Sequence, residues 1–468
     1  MSNSPKPQVG ADERTPLVNG SGSGTPAQNG NHHHHIHPDR SPAYTFFLDS
    51  HKTPGLESPN VTVRSLAYSW HIFKATVLSN YVNFLLPAVP IGIMAGMLGW
   101  GSTAVFTINF LAIIPLAAVL SFATEEFSLK LGQTIGGLLN ATFGNAVELI
   151  VSIVALKDGQ IEVVQSSMLG SILSNLLLVM GMCFLFGGLI HRGTSGEGSE
   201  QVFSSAVAQS TCSLMTLSSA SLVIPAALYG VLNANGTEEK TKTILVLSRG
   251  TAIILLVLYA LYLVFQLRTH SNLFDPESQI NKAGANAANA SQSEEEEEEE
   301  EEPEEPILGP VAAVAVLLVT TLLVSVCADY LVGSIDDIVE SAGLSKAFIG
   351  LILIPIVGNA AEHVTAVVGA VRNKMDLAMG VAIGSSIQIA LFITPFLVIV
   401  GWIIGSPMSL RFETFETVAF AVSVLVVTYT VQDGRSNYLE GAMLLGLYMI
   451  IAVAFYAVPN GALDKDGA

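Results

Sequence analysis

The chain has 468 residues, of which 50% are hydrophobic and only 13% are charged. Soluble proteins carry about 25% charged residues, so this composition argues against a water-soluble globular enzyme. The net charge of −19 depends strongly on eleven Glu residues between Glu294 and Glu305. Without them, 20 basic residues face 28 acidic ones, which leaves −8. A chain with no basic excess is not expected to bind nucleic acid.

The two ends of the chain differ in composition from its middle. Residues 1–65 are rich in Pro, Gly, Ser and Asn and show no apolar period, which predicts a disordered tail. Residues 66–101 are predicted to form an amphipathic lead-in followed by a first membrane helix. Residues 461–468 are predicted to form a short C-terminal tail.

Eleven apolar segments follow one another between residues 82 and 458. Each approaches the roughly 20 residues that a helix needs to cross a bilayer. The segments are 82–99, 103–123, 132–156, 164–190, 203–228, 243–266, 308–331, 347–371, 378–403, 414–431 and 438–458. This pattern predicts an all-α polytopic membrane protein with eleven transmembrane helices. Cys183, Cys212 and Cys327 lie in apolar runs and are interpreted as small buried hydrophobes.

An internal repeat relates the two halves of the chain. Residues 144–148 read Gly-Asn-Ala-Val-Glu, and residues 358–362, 214 positions later, read Gly-Asn-Ala-Ala-Glu. The pairs Ile135-Gly136 and Gly170-Ser171 recur at the same offset. The second to sixth helices therefore pair with the seventh to eleventh, and the first helix is extra. Because five spans are an odd number, the second copy starts on the opposite membrane face, which is the inverted repeat of many secondary transporters.

This division predicts a first repeat over 102–267, an acidic linker over 268–306 and a second repeat over 307–460. Orientation follows the number of Lys and Arg residues beside the spans. With the N-terminus in the cytosol, the cytosolic flanks hold Arg64, Lys74, Lys130, Arg192, Arg268, Arg372, Lys374 and Arg435. The opposite flanks hold Lys157, Lys240, Lys242, Lys346, Arg411 and Lys465. The excess of eight over six predicts a cytosolic N-terminus and linker, with the C-terminus in the lumen of an organelle.

Glu148 and Glu362 each lie in the middle of an apolar span. A charge at the bilayer centre costs about 2.5–3.5 kcal/mol, so a functional role is favoured over a structural hydrogen-bonded pair. Breaks at Gly144 and Gly358 are expected to free backbone carbonyls near the two carboxylates. The predicted ion-binding residues are Glu148, Glu362, Asn145, Asn359, Ser171, Ser385 and Gln388, with Ser174 on the same helix face as Ser171. Oxygen ligands without thiolates select Ca²⁺, Mg²⁺ or Mn²⁺.

A site with two carboxylates also explains ion coupling. Two carboxylates close together in a medium of low dielectric constant cannot both stay ionised and empty. The site is stable with a divalent cation or with protons, and this mutual exclusion is the physical basis of antiport. No cofactor is predicted beyond the transported ions.

Other residues allow two readings. His363 follows Glu362 and either relays protons or packs as a satisfied helix residue. Glu125 and Glu126 end the second span and either attract cations or form a solvated helix end. The run that includes Glu294, Glu298 and Glu302 is either a solvated tether or a cytosolic Ca²⁺ collector with a regulatory role. Arg249 has no obvious partner in the sequence.

The two repeated motifs, Gly144–Val151 and Gly358–Val367, resemble the alpha-repeat signatures of the Ca²⁺/H⁺ exchanger family within the Ca²⁺/cation antiporter superfamily. The similarity covers about residues 65–458, and the long tail looks like those of fungal vacuolar members. It implies export of cytosolic Ca²⁺ into the vacuole, with Glu148 and Glu362 as the central glutamates. Family members carry an acidic helix linked to Ca²⁺ sensing. Pro303 and the nearly pure Glu run depart from that pattern.

The sequence therefore predicts a Ca²⁺/H⁺ antiporter of the vacuolar membrane. Three alternatives stay open. One is the same fold with Mn²⁺ as substrate or Na⁺ as counter-ion. The second is a Ca²⁺-permeable channel, and the third is a non-transporting Ca²⁺ sensor built on the acidic run. Oligomeric state is not predicted.

Overall fold

The structure is a computed structural model, which describes residues 46–50, 52–131, 133–191, 200–232, 237–273 and 306–458. Helices dominate it. The first half contains α1 (Val61–Leu78), α2 (Ala88–Met97), α3 (Ser102–Leu131), α4 (Gln133–Phe143), α5 (Ala146–Lys157), α6 (Ile161–Ile190), α7 (Ser205–Val231) and α8 (Thr237–Val264). A 3₁₀ turn over Tyr81–Leu85 joins α1 to α2, and a π-helical turn over Phe265–Thr269 extends α8.

The second half contains α9 (Pro310–Gly333), α10 (Ile335–Ala342), α11 (Lys346–Gly358), α12 (Ala360–Val371), α13 (Met375–Ile404), α14 (Thr414–Thr430) and α15 (Tyr438–Ala457). Two two-residue strands, β1 (Gln201–Val202) and β2 (Arg435–Ser436), form an antiparallel pair. Three helices contain a π-helical turn, at Ser174–Val179 in α6, Ile349–Leu353 in α11 and Ile389–Ile393 in α13. Such turns widen a helix locally and are frequent at functional sites.

Seven helices of the described residues are long and apolar enough to cross a membrane, namely α3, α6, α7, α8, α9, α13 and α15. Two bent pairs raise this number to nine if each is one span. One pair joins α1 to Tyr81–Met97 with a 106° bend, and the other joins α10 to α11 with a 117° bend. The predicted segments 132–156 and 347–371 are not continuous, since each divides into two short helices.

Several boundaries differ from those predicted. Helix α1 begins at Val61, inside the stretch that composition assigned to the tail, because the Asn60 side chain accepts a hydrogen bond from Thr62 N–H and caps it. Phe46 stacks on Trp70 of α1, so contacts with the helix start well before residue 65. Helix α11 contains Pro355 and ends at Gly358. The three cysteines are free and buried, as predicted.

The two halves interlock. The helices end at two opposite faces of the protein, the Lys157 face, where α5 ends, and the Asp376 face, where α13 begins. At the Lys157 face, Lys346 and Gln160 contact the Asp336 carboxylate at 2.7 and 2.8 Å. At the Asp376 face, Ser204 N–H donates to Asp376 Oδ1 at 2.8 Å, and His191 Nε2 lies 2.8 Å from Val371 O. Helix α3 packs against α9, and α6 packs against α11. Gly170 allows the close approach of α6 to the backbone of Leu351, where a Cβ atom would collide.

Candidate ion-binding site

Both repeated motifs lie where a helix is broken. Helix α4 ends at Phe143 and α5 begins at Ala146, so Gly144 and Asn145 form the first break. The second break lies between α11 and α12, at Asn359, directly after Gly358. Glu148 and Glu362 are in the first turns of α5 and α12. The positive ends of the two half-helices therefore point into the centre of the protein and favour the ionised carboxylates there.

The two glutamates cross over between the halves. A Cβ atom added to Gly358 would lie 2.8 Å from Glu148 Oε1, and one added to Gly144 would lie 3.6 Å from Glu362 Oε1. Each carboxylate thus occupies space above the glycine of the other half. This gives Gly358 a second role beyond breaking the helix, because a larger side chain there would displace the Glu148 carboxylate, whereas a Cβ atom at Gly144 would only reach van der Waals contact with Glu362.

A chain of side-chain hydrogen bonds connects the first motif to α13. Asn145 Nδ2 donates to Gln388 Oε1 at 2.7 Å, and Ser385 Oγ donates to Asn145 Oδ1 at 2.8 Å. Asn175 Nδ2 of α6 donates to Ser385 Oγ at 3.1 Å. Asn359 does not repeat this arrangement, since its Nδ2 donates to Pro355 O on its own helix at 3.2 Å. The structure therefore brings Asn145, Ser385 and Gln388 together across the two halves.

Two carboxylate oxygens at this centre lack hydrogen-bond partners. Glu148 Oε1 and Glu362 Oε2 are both buried and unpaired. Buried polar atoms in proteins are almost always paired with protein groups, water or an ion. In the described ranges no group of three or more His, Cys, Asp or Glu residues forms a metal cluster. The donor set is instead two carboxylates with neutral amide, hydroxyl and carbonyl oxygens, which suits a hard cation that is bound and released.

A cleft reaches Glu148 and Gly358. Its walls are mainly apolar and come from α3, α5, α9 and α11. Val151 lies one turn beyond Glu148 in the direction of Lys157, and Leu331 lies two residues before the end of α9 at the same face. The cleft therefore extends from the glutamates toward the Lys157 face.

The remaining predicted residues take different positions. Ser171 is buried on α6, and Ser174 Oγ lies 3.4 Å from Nε2 of the buried His363. Glu126 was predicted to be a cation-attracting or solvated residue, but it is buried and its Oε2 accepts a hydrogen bond from Leu308 N–H at 2.6 Å. Glu125 is exposed.

The acidic run and Arg249 are the remaining features singled out in the sequence. Glu294, Glu298 and Glu302 lie outside the described residues. The Arg249 guanidinium lies over the Trp402 ring, 4.5 Å from its centroid. Asn175 was missed because Ile389 stands at the corresponding position of the second half, so the repeat gave no signal for it.

Comparisons with known proteins show which family the chain belongs to. The profile of the sodium/calcium exchanger protein family matches residues 101–268 and 312–457. The chain belongs to this family. It is 50% identical over 387 residues to a "Vacuolar calcium ion transporter" of Schizosaccharomyces pombe, covering 83% of this chain and 87% of that protein. It is 45% identical over 375 residues to a "Ca(2+)/H(+) antiporter" of Aphanothece halophytica, covering 80% and 96%.

Solved structures give the same result. The native structure of YfkE shares 35% sequence identity with a TM-score of 0.64, and the match covers 81% of this chain and 100% of that one. A second structure of YfkE describes it as a Ca²⁺/H⁺ antiporter. The predicted resemblance to Ca²⁺/H⁺ exchangers is thereby confirmed, and the chain is an integral membrane transporter.

Proposed function

We propose that this protein exchanges cytosolic Ca²⁺ for protons across the vacuolar membrane. A relative named as a vacuolar calcium ion transporter is 50% identical over most of the chain, and one named as a Ca²⁺/H⁺ antiporter is 45% identical. The observation that carries the proposal is the crossed arrangement of Glu148 and Glu362. Each carboxylate lies near the glycine of the opposite half, and each has one buried oxygen without a hydrogen-bond partner.

In this mechanism the two glutamates bind Ca²⁺ and protons alternately. When Ca²⁺ occupies the centre, it neutralises both carboxylates and takes further oxygens from Asn145, Asn359, Ser171, Ser385, Gln388 and freed carbonyls. When Ca²⁺ leaves, protons take its place, because two ionised carboxylates cannot remain buried together. A tenfold difference in proton concentration supplies about 1.4 kcal/mol for each proton exchanged. His363 beside Glu362 is proposed to pass protons to this centre through the Ser174 hydroxyl.

The proposed layout has eleven spans, formed by one extra helix and two inverted groups of five. The seven long helices supply part of this number, and the rest come from α2, the joined half-helices α4–α5 and α11–α12, and α14. Support comes from the opposite directions of the two broken helices. α5 ends at the Lys157 face, whereas α12 ends at Val371, next to the Asp376 face.

The Asp376 face is proposed to be cytosolic, together with the N-terminus and the acidic linker, and the Lys157 face and the C-terminus lumenal. The Lys and Arg excess supports this orientation, and the vacuolar names of relatives support the compartment. The acidic linker is proposed to modulate transport from the cytosol. Mn²⁺ is the second candidate substrate, because the same oxygen set accepts it, and competition of Mn²⁺ with Ca²⁺ uptake would measure it.

Uptake of radiolabelled Ca²⁺ into acid-loaded vesicles tests the proposal. Wild-type uptake should collapse when a protonophore is added, and Glu148→Gln should show none. Uptake that survives the protonophore would favour another coupling ion. Uptake that also survives Glu148→Gln would favour a channel, since it would not pass through the paired carboxylates.

A further inference from the structure

Three buried oxygen atoms, one from Glu148 and two from hydroxyl side chains, have no hydrogen-bond partner. They are Glu148 Oε1, Ser152 Oγ and Thr394 Oγ1, and their residues are 5%, 1% and 4% exposed. Buried helical hydroxyls usually bond to the carbonyl four residues earlier. Ser423 does so, with Oγ donating to Ala419 O at 2.7 Å. The unpaired hydroxyls of Ser152 and Thr394 are exceptions that point to a ligand.

Ser152 lies one turn after Glu148, on the same face of α5. The next residue on that face, Leu156, fixes the register against α13, since a Cβ atom added to Gly401 would lie 3.4 Å from Leu156 Cδ2. Both helices end at the Lys157 face, where Gln165 Nε2 donates to Ser409 O just beyond α13. Ser152 therefore faces the contact between α5 and α13.

Thr394 faces the same contact. It precedes Gly401 by seven residues, or two helical turns and about 10 Å, so it shares the face of Gly401 and lies level with Glu148. By this register, Ser152 and Thr394 both lie on the side of the α5–α13 contact, near the level of Glu148.

The two symmetry-related positions carry no hydroxyl groups. At the 214-residue offset, Ala366 replaces Ser152 and Met180 replaces Thr394, and both are fully buried. The hydroxyl pair therefore lies only between the central glutamates and the Lys157 face. A general structural need of the repeat would be expected to appear in both copies.

We infer that Ser152 Oγ, Thr394 Oγ1 and Glu148 Oε1 form a second, weaker position for the transported divalent cation, at the α5–α13 contact on the Lys157 side of the centre. This inference rests on the proposed function. Hydroxyl oxygens are acceptable ligands for Ca²⁺, which accepts six to eight oxygens and completes its shell with water. One carboxylate oxygen and two neutral oxygens hold it less tightly than two carboxylates. A passing ion needs such weak sites in order to leave.

The test is the apparent KM for Ca²⁺ measured separately at each face, in sealed vesicles of known orientation with radiolabelled Ca²⁺. The variants are Ser152→Ala, the nearly isosteric Thr394→Val, and the double variant. Ser423→Ala removes an equally buried hydroxyl that already has a backbone partner, and Thr394→Ser keeps the hydroxyl. Loss of one hydroxyl ligand should raise KM at the Lys157 face about fivefold and leave KM at the Asp376 face unchanged. Ser423→Ala should leave both KM values unchanged, and Thr394→Ser, which keeps a hydroxyl, should raise KM at the Lys157 face less than Thr394→Val does.

Two results would overturn the inference. An equal rise of KM at both faces would assign the hydroxyls to the central site itself, and no rise at either face would remove them from the path. If the double variant does not fold, the two single variants decide between these results. Wild-type flux without proton dependence would contradict the proposed function instead, and the comparison of the two faces would still test the second position.

Discussion

Asn145 of the first half and Asn359 of the second half occupy the same place in the repeated motif, yet their amide groups bond in different directions. Asn145 bonds to Gln388 and Ser385 on a helix of the other half, whereas Asn359 bonds to Pro355 on its own helix. Glu148 is buried and Glu362 is half-buried. The duplication thus preserved the carboxylates and the glycines while the supporting hydrogen bonds diverged.

The difference follows from the residues on the opposing helices. Gln388 of α13 has a long amide side chain that reaches Asn145, but its counterpart on α6 is Ser174, whose hydroxyl lies next to His363 instead. Asn145 of the first-half motif is therefore hydrogen-bonded to the second half, whereas Asn359 of the second-half motif has no equivalent bond to the first half among the described residues. An exchanger that opens alternately to two faces need not hold both motifs equally, and the substitutions below test how far the inequality extends.

The largest loss of Ca²⁺ uptake is expected from substituting the two central glutamates, which both halves retain. Glu148→Gln and Glu362→Gln should each lower net Ca²⁺ uptake by at least about 100-fold, because removing one member of a buried charge site costs roughly 3–5 kcal/mol. Uptake assays in acid-loaded vesicles measure both. Glu340→Gln, at an exposed glutamate, is the matched control. Substantial uptake by either central variant would show that one carboxylate suffices and would break the functional equivalence of the halves.

Substitutions of the two motif asparagines should lower stability by different amounts in the two halves. Asn145→Ala removes two buried bonds and leaves Gln388 Oε1 without its Asn145 donor, while Ser385 keeps the bond from Asn175. It should lower the free energy of unfolding by about 2–3 kcal/mol. Asn359→Ala removes one bond within its own helix and should cost about 1 kcal/mol. Denaturation of the two purified variants in the same detergent gives the comparison. Equal losses would contradict the one-sided anchoring.

Glu126 and Glu340 are also separated by 214 residues and differ in burial. Glu126 binds the Leu308 N–H just after the acidic linker, whereas Glu340 is exposed. A hydrogen bond to a buried charge contributes about 1.5–3 kcal/mol, so Glu126→Ala should lose stability in that range. An exposed change such as Glu340→Ala should stay within about 0.5 kcal/mol. Limited proteolysis near residue 308 would report the loosened junction, and equal cleavage of both variants would argue against it.

The smallest effect concerns an ion pair that only the second half has. A hydrogen bond from Lys346, together with one from Gln160, lowers the pKa of Asp336, while Phe122 and Gly132 stand at the first-half positions. A lowered pKa in the folded state means that the pair stabilises above the ordinary Asp pKa and that this contribution is lost as pH falls through the folded value. Because the Asp336 side chain is 58% exposed, the effect should be below about 1 kcal/mol. Asp336→Asn should flatten the acid limb of the stability curve below about pH 4, and an unchanged limb would show that the pair contributes nothing.

Much of this protein could be predicted from its sequence, because the bilayer imposes simple rules. Apolar length predicted most of the long helices, and the 214-residue offset located both helix breaks and the two central glutamates. Those features depend on local composition and on the cost of placing a charge in an apolar span. The division of segment 132–156 into α4 and α5 followed from Gly144 and Asn145 for the same local reason.

Only the tertiary structure decided which side chains meet. It placed each glutamate above the glycine of the opposite half, buried Glu126 against Leu308, brought Asn175 into the site and left Ser152 and Thr394 without partners. None of these contacts follows from spacing along the chain, since each joins residues more than 100 positions apart or depends on the register between helices. The repeat located the paired positions, but packing between α5, α6 and α13 determined how each one is used.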